Sequence, residues 1–397
     1  MAAILKAVNL APLTRLSCGQ FPNIFSQLNF SSMPYSALGA KACESLQADY
    51  VDYFGKNAPE FKTGGDTSVI KYLLSPQNTA GFTQIKVDQP IAGKKRSVRF
   101  AMEQPLCFDV TAPNGIVCTT ARNTMSDPSK IVDFSMDGPA FRITDGGGVP
   151  LKLQITNVEM NAHCTESDQS YINRKVIKFL KRYEEALDKA VAAILATKAG
   201  TNLAGQALTQ LPMFVENAAT TTSVPHSDSL FQLDQNFEDI LGSGQYALLG
   251  GTVLKKLQTL LKWSGLNQAG IDLTKVPNSE PYSYYSRHLN TILGANGFLQ
   301  MSPGAAQLVT FNEYAGERRK EITDLYSNIT VVSPSTGLLI DLQYRFDYNC
   351  GIHTWEPFNF LEVATNIAGG CGALATTNGI IKYQDCSGLL APPACPA

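Results

Sequence analysis

Four histidines and nine cysteines are the side chains of this 397-residue chain best suited to metal binding or nucleophilic attack. The cysteines are Cys18, Cys43, Cys107, Cys118, Cys164, Cys350, Cys371, Cys386 and Cys395, with no CxxC pair and no zinc-finger spacing among them. Two thiol–imidazole pairs are close in sequence, His163 with Cys164 and Cys350 with His353. Such a pair works only if both groups share one side of the backbone. Neighbours on a strand point to opposite faces, which sets His163 against Cys164. Cys350 and His353 read as an ordinary loop pair. Asp341 and Asp347 lie in a strand-like run without a partnered acid for proton transfer. There is no GxxxxGK[ST] or GxGxxG phosphate loop, and no GxSxG, HExxH, EF-hand or kinase pattern. Asp145-Gly146-Gly147-Gly148 joins two strand-like stretches rather than opening a helix, so it reads as a turn. No catalytic residue, cofactor site or metal site is expected.

Composition narrows the classes further. Lys and Arg total 32 against 34 Asp and Glu, a net charge of −2, which excludes a strongly basic nucleic-acid wrapper. Basic residues gather in two places, near 94–99 and along 174–182, without the interleaved aromatics of a stacking platform. Charged residues make up only 17% of the chain, below the usual ~25%. A surface so poor in charge suits contact with other proteins. With 44% hydrophobic residues, the chain can bury a large core divided among two or three lobes. The cysteines are too sparse for a disulfide scaffold and read as reduced thiols, with Cys371, Cys386 and Cys395 the cluster to watch. Lys6 and Arg15 interrupt the apolar N-terminus, and Thr, Asn and Gly break the uncharged run from Val363 to Ile381. Neither segment reads as a signal peptide or bilayer span.

The elements that would position these residues are unevenly marked. The clearest is a helix over Tyr171–Lys198, free of Gly and Pro. Val176, Leu180, Tyr183, Leu187, Ala190 and Ile194 repeat at spacings of 4 and 3, one apolar stripe on a rod of roughly 45 Å. Its other face carries Arg174, Lys175, Lys178, Lys181, Arg182, Glu184, Glu185 and Asp188, and reads as solvated. Ser167 or Thr165 could cap its start. Two shorter amphipathic helices are expected in DSLFQLDQNFEDIL and GGTVLKKLQTLLKW. Strands are expected in IVDFSM, AFRIT and LKLQITNVEM, and in the β-rich last third: ITDLYSNITVV, GLLIDLQYRFDYNCGIHTW and FNFLEVAT. A loose Gly/Pro/Cys tail follows.

Two segments look outward. From Leu16 to Ala40 there is no charge, yet Phe21, Phe25, Phe30 and Tyr35 recur among polar residues. A flexible tail is normally charged and poor in aromatics, so this arm reads as lying against another surface, such as a second subunit. FTQIKVDQ and SVRFAMEQ alternate around PIAGKKR, a β-hairpin whose tip holds Lys94, Lys95, Arg96 and then Arg99. Its apolar load is light, so it must rest on something.

This order of elements resembles the major capsid proteins of tailed bacteriophages, the Hong Kong 97-type α+β fold. The resemblance lies in layout and length. It implies an N-terminal arm over 1–60, an extended E-loop hairpin over 61–112, and a P-domain with a spine helix over 113–204. An A-domain would span 205–335, P-domain return strands 336–370 and a C-terminal tail 371–397. It also implies a structural virion protein that assembles with itself into hexamers and pentamers of an icosahedral head in the host cytoplasm. That head would enclose double-stranded DNA held without sequence preference, alongside a separate scaffolding protein, a portal and decoration proteins, with no membrane and no cofactor. Phe21, Phe25, Phe30, Lys94, Lys95, Arg96 and Arg99 are then the expected intersubunit contacts. Two other readings stand beside it: another virion or surface-layer structural protein, and a cysteine- or ligand-dependent enzyme without a recognisable motif.

Overall fold

The computed structural model describes residues 46, 48–51, 67–79, 84–88, 96–102, 130–136, 141–144, 148–161, 168–199, 209–217, 222–241, 246–264, 282–311, 324–347, 349–365 and 379–389. The architecture is mixed helix and strand, organised on one long helix, α4 (Asp168–Lys198, 31 residues). The expected stripe is buried from Val176 to Leu187, but then turns aside. Val191, Ala192 and Leu195 are buried in place of Ala190 and Ile194, and Ile194 is 36% exposed. A 4,3 repeat averages 3.5 residues per turn, whereas a straight helix has 3.6. The stripe therefore drifts by ~20° per heptad.

A four-stranded antiparallel sheet shares the main core with α4. Its order is β12 (Asp324–Val332), β13 (Leu339–Asp347), β14 (Ile352–Phe358) and β4 (Leu153–Thr156). Alternation in LLIDLQYRF places Ile340, Leu342, Tyr344 and Phe346 in that core with Trp355 and Ile155. The β12–β13 connection is a tight turn closed by Ser333 N–H donating to Leu338 O and Gly337 N–H to Ser333 O, both at 2.8 Å. Gly337 takes φ +74°, which favours glycine. The expected strand LKLQITNVEM is shorter than its pattern. It ends at Thr156, and Asn157–Asn161 is the helix α3. Leu151, expected on the face of Leu153 and Ile155, is exposed. AFRIT makes only isolated bridges, Phe141 to Asn359 and Thr144 to Pro150.

The second lobe is built on a five-stranded sheet ordered β5 (Thr209–Leu211), β16 (Ile380–Asp385), β10 (Gly297–Met301), β8 (Ala247–Gly250) and β9 (Tyr282–Tyr285). This sheet is apolar on both faces. Ala247, Leu249, Leu299 and Ile380 face the spine-helix core, whereas Leu248, Phe298, Ile381 and Tyr383 join a second core. The expected helices α5 (Ser227–Leu241) and α6 (Thr252–Ser264) close that second core with Leu233, Phe237, Val253, Leu254 and Leu257. β16 corrects the reading of 371–397 as a loose tail: IIKYQD is an inner strand, and Asp385 accepts hydrogen bonds from Met213 N–H (2.9 Å) and Ser387 N–H (3.0 Å). Cys386, one of the three cysteines set apart in the sequence, is disulfide-bonded.

A second correction concerns the N-terminal third. Residues 46 and 48–51, within the stretch read as an arm, are helical and bury Leu46 and Tyr50 in the main core. Helix α1 (Ser68–Leu73), within the stretch read as the hairpin region, buries Val69, Ile70, Tyr72 and Leu73 there too. It is followed by the short α2 (Pro76–Thr79). Asn78 pins this pair down, donating to Leu73 O (3.0 Å) and Ala306 O (2.9 Å) and accepting from Gly304 N–H (3.1 Å). β11 (Ala306–Phe311), paired with β15 (Phe360–Thr365), thus ties the N-terminal helices to the last third. The hairpin forms as expected. β1 (Gln84–Asp88) pairs antiparallel with β2 (Arg96–Met102), and β3 (Lys130–Met136) adds a third strand, making a separate sheet.

Candidate assembly elements and the buried polar stripe

Of the seven residues singled out for intersubunit contact, Phe21, Phe25, Phe30, Lys94 and Lys95 lie outside the described residues. Arg96 opens β2 opposite Met136, and Arg99 occupies the register position between Lys86 on β1 and Asp133 on β3. His163 and Cys164 also lie outside the described residues.

His353, Cys350 and Asp347 lie on or beside the β13–β14 pair. His353 is buried on the sheet, with Nδ1 2.6 Å from Tyr344 Oη and Nε2 2.9 Å from Asn157 Oδ1. The rings of Phe346 and Trp355 flank it. Burial pushes its pKa down to about 4, so the imidazole is neutral at pH 7 with both nitrogens engaged. Cys350 is exposed in the β13–β14 turn, where Asp347 accepts from Asn349 N–H (2.9 Å) and Cys350 N–H (3.2 Å). Those bonds, the Cys350 amide first, hold the Asp347 carboxyl below its usual range. The imidazole is thus committed away from the thiol.

A Ser-His-Asp trio also occurs at the start of α5. His226 Nδ1 lies 2.8 Å from Ser229 Oγ, and Nε2 lies 4.0 Å from Asp228 Oδ2. The Ser229 hydroxyl donates to Pro212 O at 2.7 Å, so the imidazole must donate to the serine rather than take its proton. Ser229 thereby fastens the helix start to the chain just ahead of Phe214.

The least expected feature lies on the spine helix. Glu184 and Asp188, read as part of a solvated charged face, are only 1% and 0% exposed. Together with Asn173 they form a polar line within the buried side of α4, at a spacing compatible with one helical face. Each holds a piece of the N-terminal region. Asn173 Nδ2 donates to Asp49 Oδ2 at 2.7 Å. Glu184 accepts from Tyr50 O–H on Oε2 and from Thr336 Oγ1–H on Oε1, both at 3.2 Å. Asp188 Oδ1 accepts from Ile70 N–H at 2.9 Å. The residue at the N-cap of α1, Thr67, makes no side-chain cap, so a carboxylate 118 residues away supplies one. Burial raises the Glu184 pKa, while hydrogen bonds from Ser333, Thr336 and Tyr50 and the charge of Lys71 work against that rise. Charged residue types gave no hint of this burial, since the partners that satisfy them are far away in sequence.

On the second lobe, the hairpin of β6 (Phe214–Asn217) and β7 (Thr222–Pro225) has a covered face and an open one. Phe214 is buried under the Lys256 ammonium, 4.7 Å from its ring, and Lys256 also donates to Ser223 Oγ at 3.0 Å. Its cross-strand pair Val215 and Val224 is 41% and 39% exposed, and Phe231 on α5 is 68% exposed. No helix among the described residues is long and apolar enough to cross a membrane.

No protein-family model and no curated protein matches the chain. Solved structures that it is similar to include a chain from Mycobacterium phage Adephagia, at 11% identity and a TM-score of 0.36, covering 84% of this chain and 92% of that one. A chain from Microbacterium phage Oxtober96 is similar at 11% identity and a TM-score of 0.34, covering 77% and 90%. One from Mycobacterium phage Bobi has 11% identity and a TM-score of 0.35, covering 81% and 90%. All three come from bacteriophages.

Proposed function

We propose that this chain is a structural component of a phage virion, and within it the major capsid protein, assembling into the hexamers and pentamers of a head that encloses double-stranded DNA. The observation that carries the reading is the three-stranded β1–β2–β3 sheet, which touches the described fold where β3 approaches β15, in a chain that also has a 31-residue helix and is only 17% charged. A two-stranded ribbon is marginal alone, and even a third strand leaves a sheet with two edges and a charge-rich tip that calls for a supporting surface. The uncharged aromatic stretch Leu16–Ala40 calls for the same, and a neighbouring subunit answers both. The buried acids and histidine support the reading in another way, since each is spent on joining distant parts of the chain. Light scattering across a concentration series tests it. Mass rising cooperatively above a threshold, into particles far larger than a small oligomer, is expected. A fixed small oligomer at every concentration refutes the proposal.

A further inference from the structure

We propose that the basic side of the spine helix is a docking surface for the phosphate backbone of duplex DNA, bound without regard to sequence. Arg174, Lys178, Arg182, Glu185 and Lys189 follow one another along α4 at spacings of 4, 4, 3 and 4. They therefore share one side of the helix, with Lys175 and Lys181 on its flanks. That side points away from the core packed by Val176, Leu180, Tyr183 and Leu187. Arg182 and Lys189 are exposed, and the other four cations and Glu185 are half-buried. The acid of the row is answered from a neighbouring helix, α7 (Arg287–Leu293), where Arg287 Nη2 lies 2.8 Å from Glu185 Oε1. At the start of the row the Arg174 guanidinium and the Lys175 ammonium lie 5.6 and 5.3 Å from the centre of the Tyr171 ring. The Tyr171 hydroxyl donates to Glu159 Oε1 at 2.6 Å, and Lys175 pairs with the same carboxylate at 3.8 Å. Seven cations and two acids thus gather on this surface, in a chain whose net charge is −2.

A duplex fits this row better than other polyanions do. From Arg174 to Lys189 the helix rises about 22 Å, a length over which one DNA strand presents roughly six phosphates, one per ~3.4 Å of axis. A protein partner needs an apolar centre to its interface, and the row carries none. A single strand needs exposed rings on which bases stack, whereas the Tyr171 ring is buried beneath its two cations. Contacts to phosphate need only charge. Screening over ~8 Å at physiological salt lets a duplex sense the row rather than the overall charge of the chain. Arg174, Lys178, Lys181 and Arg287 have further contacts within the chain, with which phosphates compete, because exposed ion pairs are weak. The inference rests on the capsid reading for its setting: the row would line the inside of the head, where repetition over many subunits turns weak contacts into a lasting hold.

Fluorescence anisotropy of a short labelled DNA duplex tests this, titrated with the full-length subunit below the concentration at which light scattering rises, between about 50 and 200 mM salt. Duplexes of unrelated sequence should bind alike. The logarithm of the binding constant should fall linearly with the logarithm of salt, at a slope of about −0.9 for each phosphate contacted. Arg182→Gln combined with Lys189→Gln should make that slope shallower by about two. Arg182→Lys combined with Lys189→Arg should keep the wild-type slope, and so should Lys198→Gln on the far side of α4. Absence of binding at the lowest salt, or a slope that the double glutamine variant leaves unchanged, overturns the proposal. Tighter binding of poly-glutamate than of a duplex of equal charge overturns it in favour of an acidic protein partner. Because the readout needs no assembly, a failure to form shells leaves it standing and counts against the capsid reading alone.

Discussion

Asp188→Ala is the most informative single change, because it separates a load carried by a buried acid from one carried by apolar packing. The carboxylate accepts from Ile70 N–H at 2.9 Å and supplies the N-terminal cap that Thr67 does not. Loss of a helix cap costs about 0.5–2 kcal/mol. Leaving the buried Ile70 amide without its acceptor costs about 1–3 kcal/mol, largely the same loss counted another way. Relief from burying a carboxylate offsets part of it. A net local destabilisation of about 1.5–2 kcal/mol follows, or roughly a 10–30-fold rise in the opening equilibrium of α1. The assay is amide exchange at residues 68–73 at fixed pH, with α5 on the second lobe as internal control. Asp188→Asn keeps an acceptor oxygen and should recover most of the protection. Wild-type exchange in Asp188→Ala would show that α1 is held by Val69, Ile70, Tyr72 and Leu73 alone, and would refute the long-range cap.

Leu187→Asp puts an unpaired charge at a fully buried position of the spine helix, a cost of roughly 3–5 kcal/mol, and should give insoluble or unassembled protein; normal solubility would contradict the observed packing. His353 has its pKa lowered to about 4, so the unfolded chain takes up the proton first as pH falls. Stability should drop between about pH 6.5 and 4, by at most about 3 kcal/mol and less once solvent screening is allowed for, and denaturant midpoints of His353→Gln should show a flatter acid limb. Changing Lys94, Lys95 and Arg96 together to Ser should leave the folded subunit intact but raise the critical assembly concentration, most at low salt, because exposed pairs contribute only ~0.2–1 kcal/mol each and are screened. Parallel salt curves for variant and wild type would favour a merely solubilising tip.

The parts legible in the sequence were those whose pattern and environment share one scale. The spine helix, both helices of the second lobe, the β1–β2 hairpin and β12 to β15 all carry periods long enough to survive without tertiary help. α1 was not legible because six residues, SVIKYL, span less than two turns and fit a strand equally well. β16 was missed because the alternation of IIKYQD is short and lies between Gly/Pro/Cys-rich flanks that dominate composition. The burial of Glu184 and Asp188 was invisible for a different reason. A carboxylate is buried only where donors converge on it, and Tyr50, Ile70 and Thr336 come together only in the fold. The exposed Val215–Val224 pair is likewise a property of which hairpin face α6 covers.

The central claim is that the chain works by closing on copies of itself. Electron microscopy of the purified full-length protein, above the concentration at which light scattering rises, tests it most directly. The account predicts closed shells, or free clusters with five- and six-fold outlines. Flat layers, open tubes or small particles without that symmetry at every concentration would contradict it.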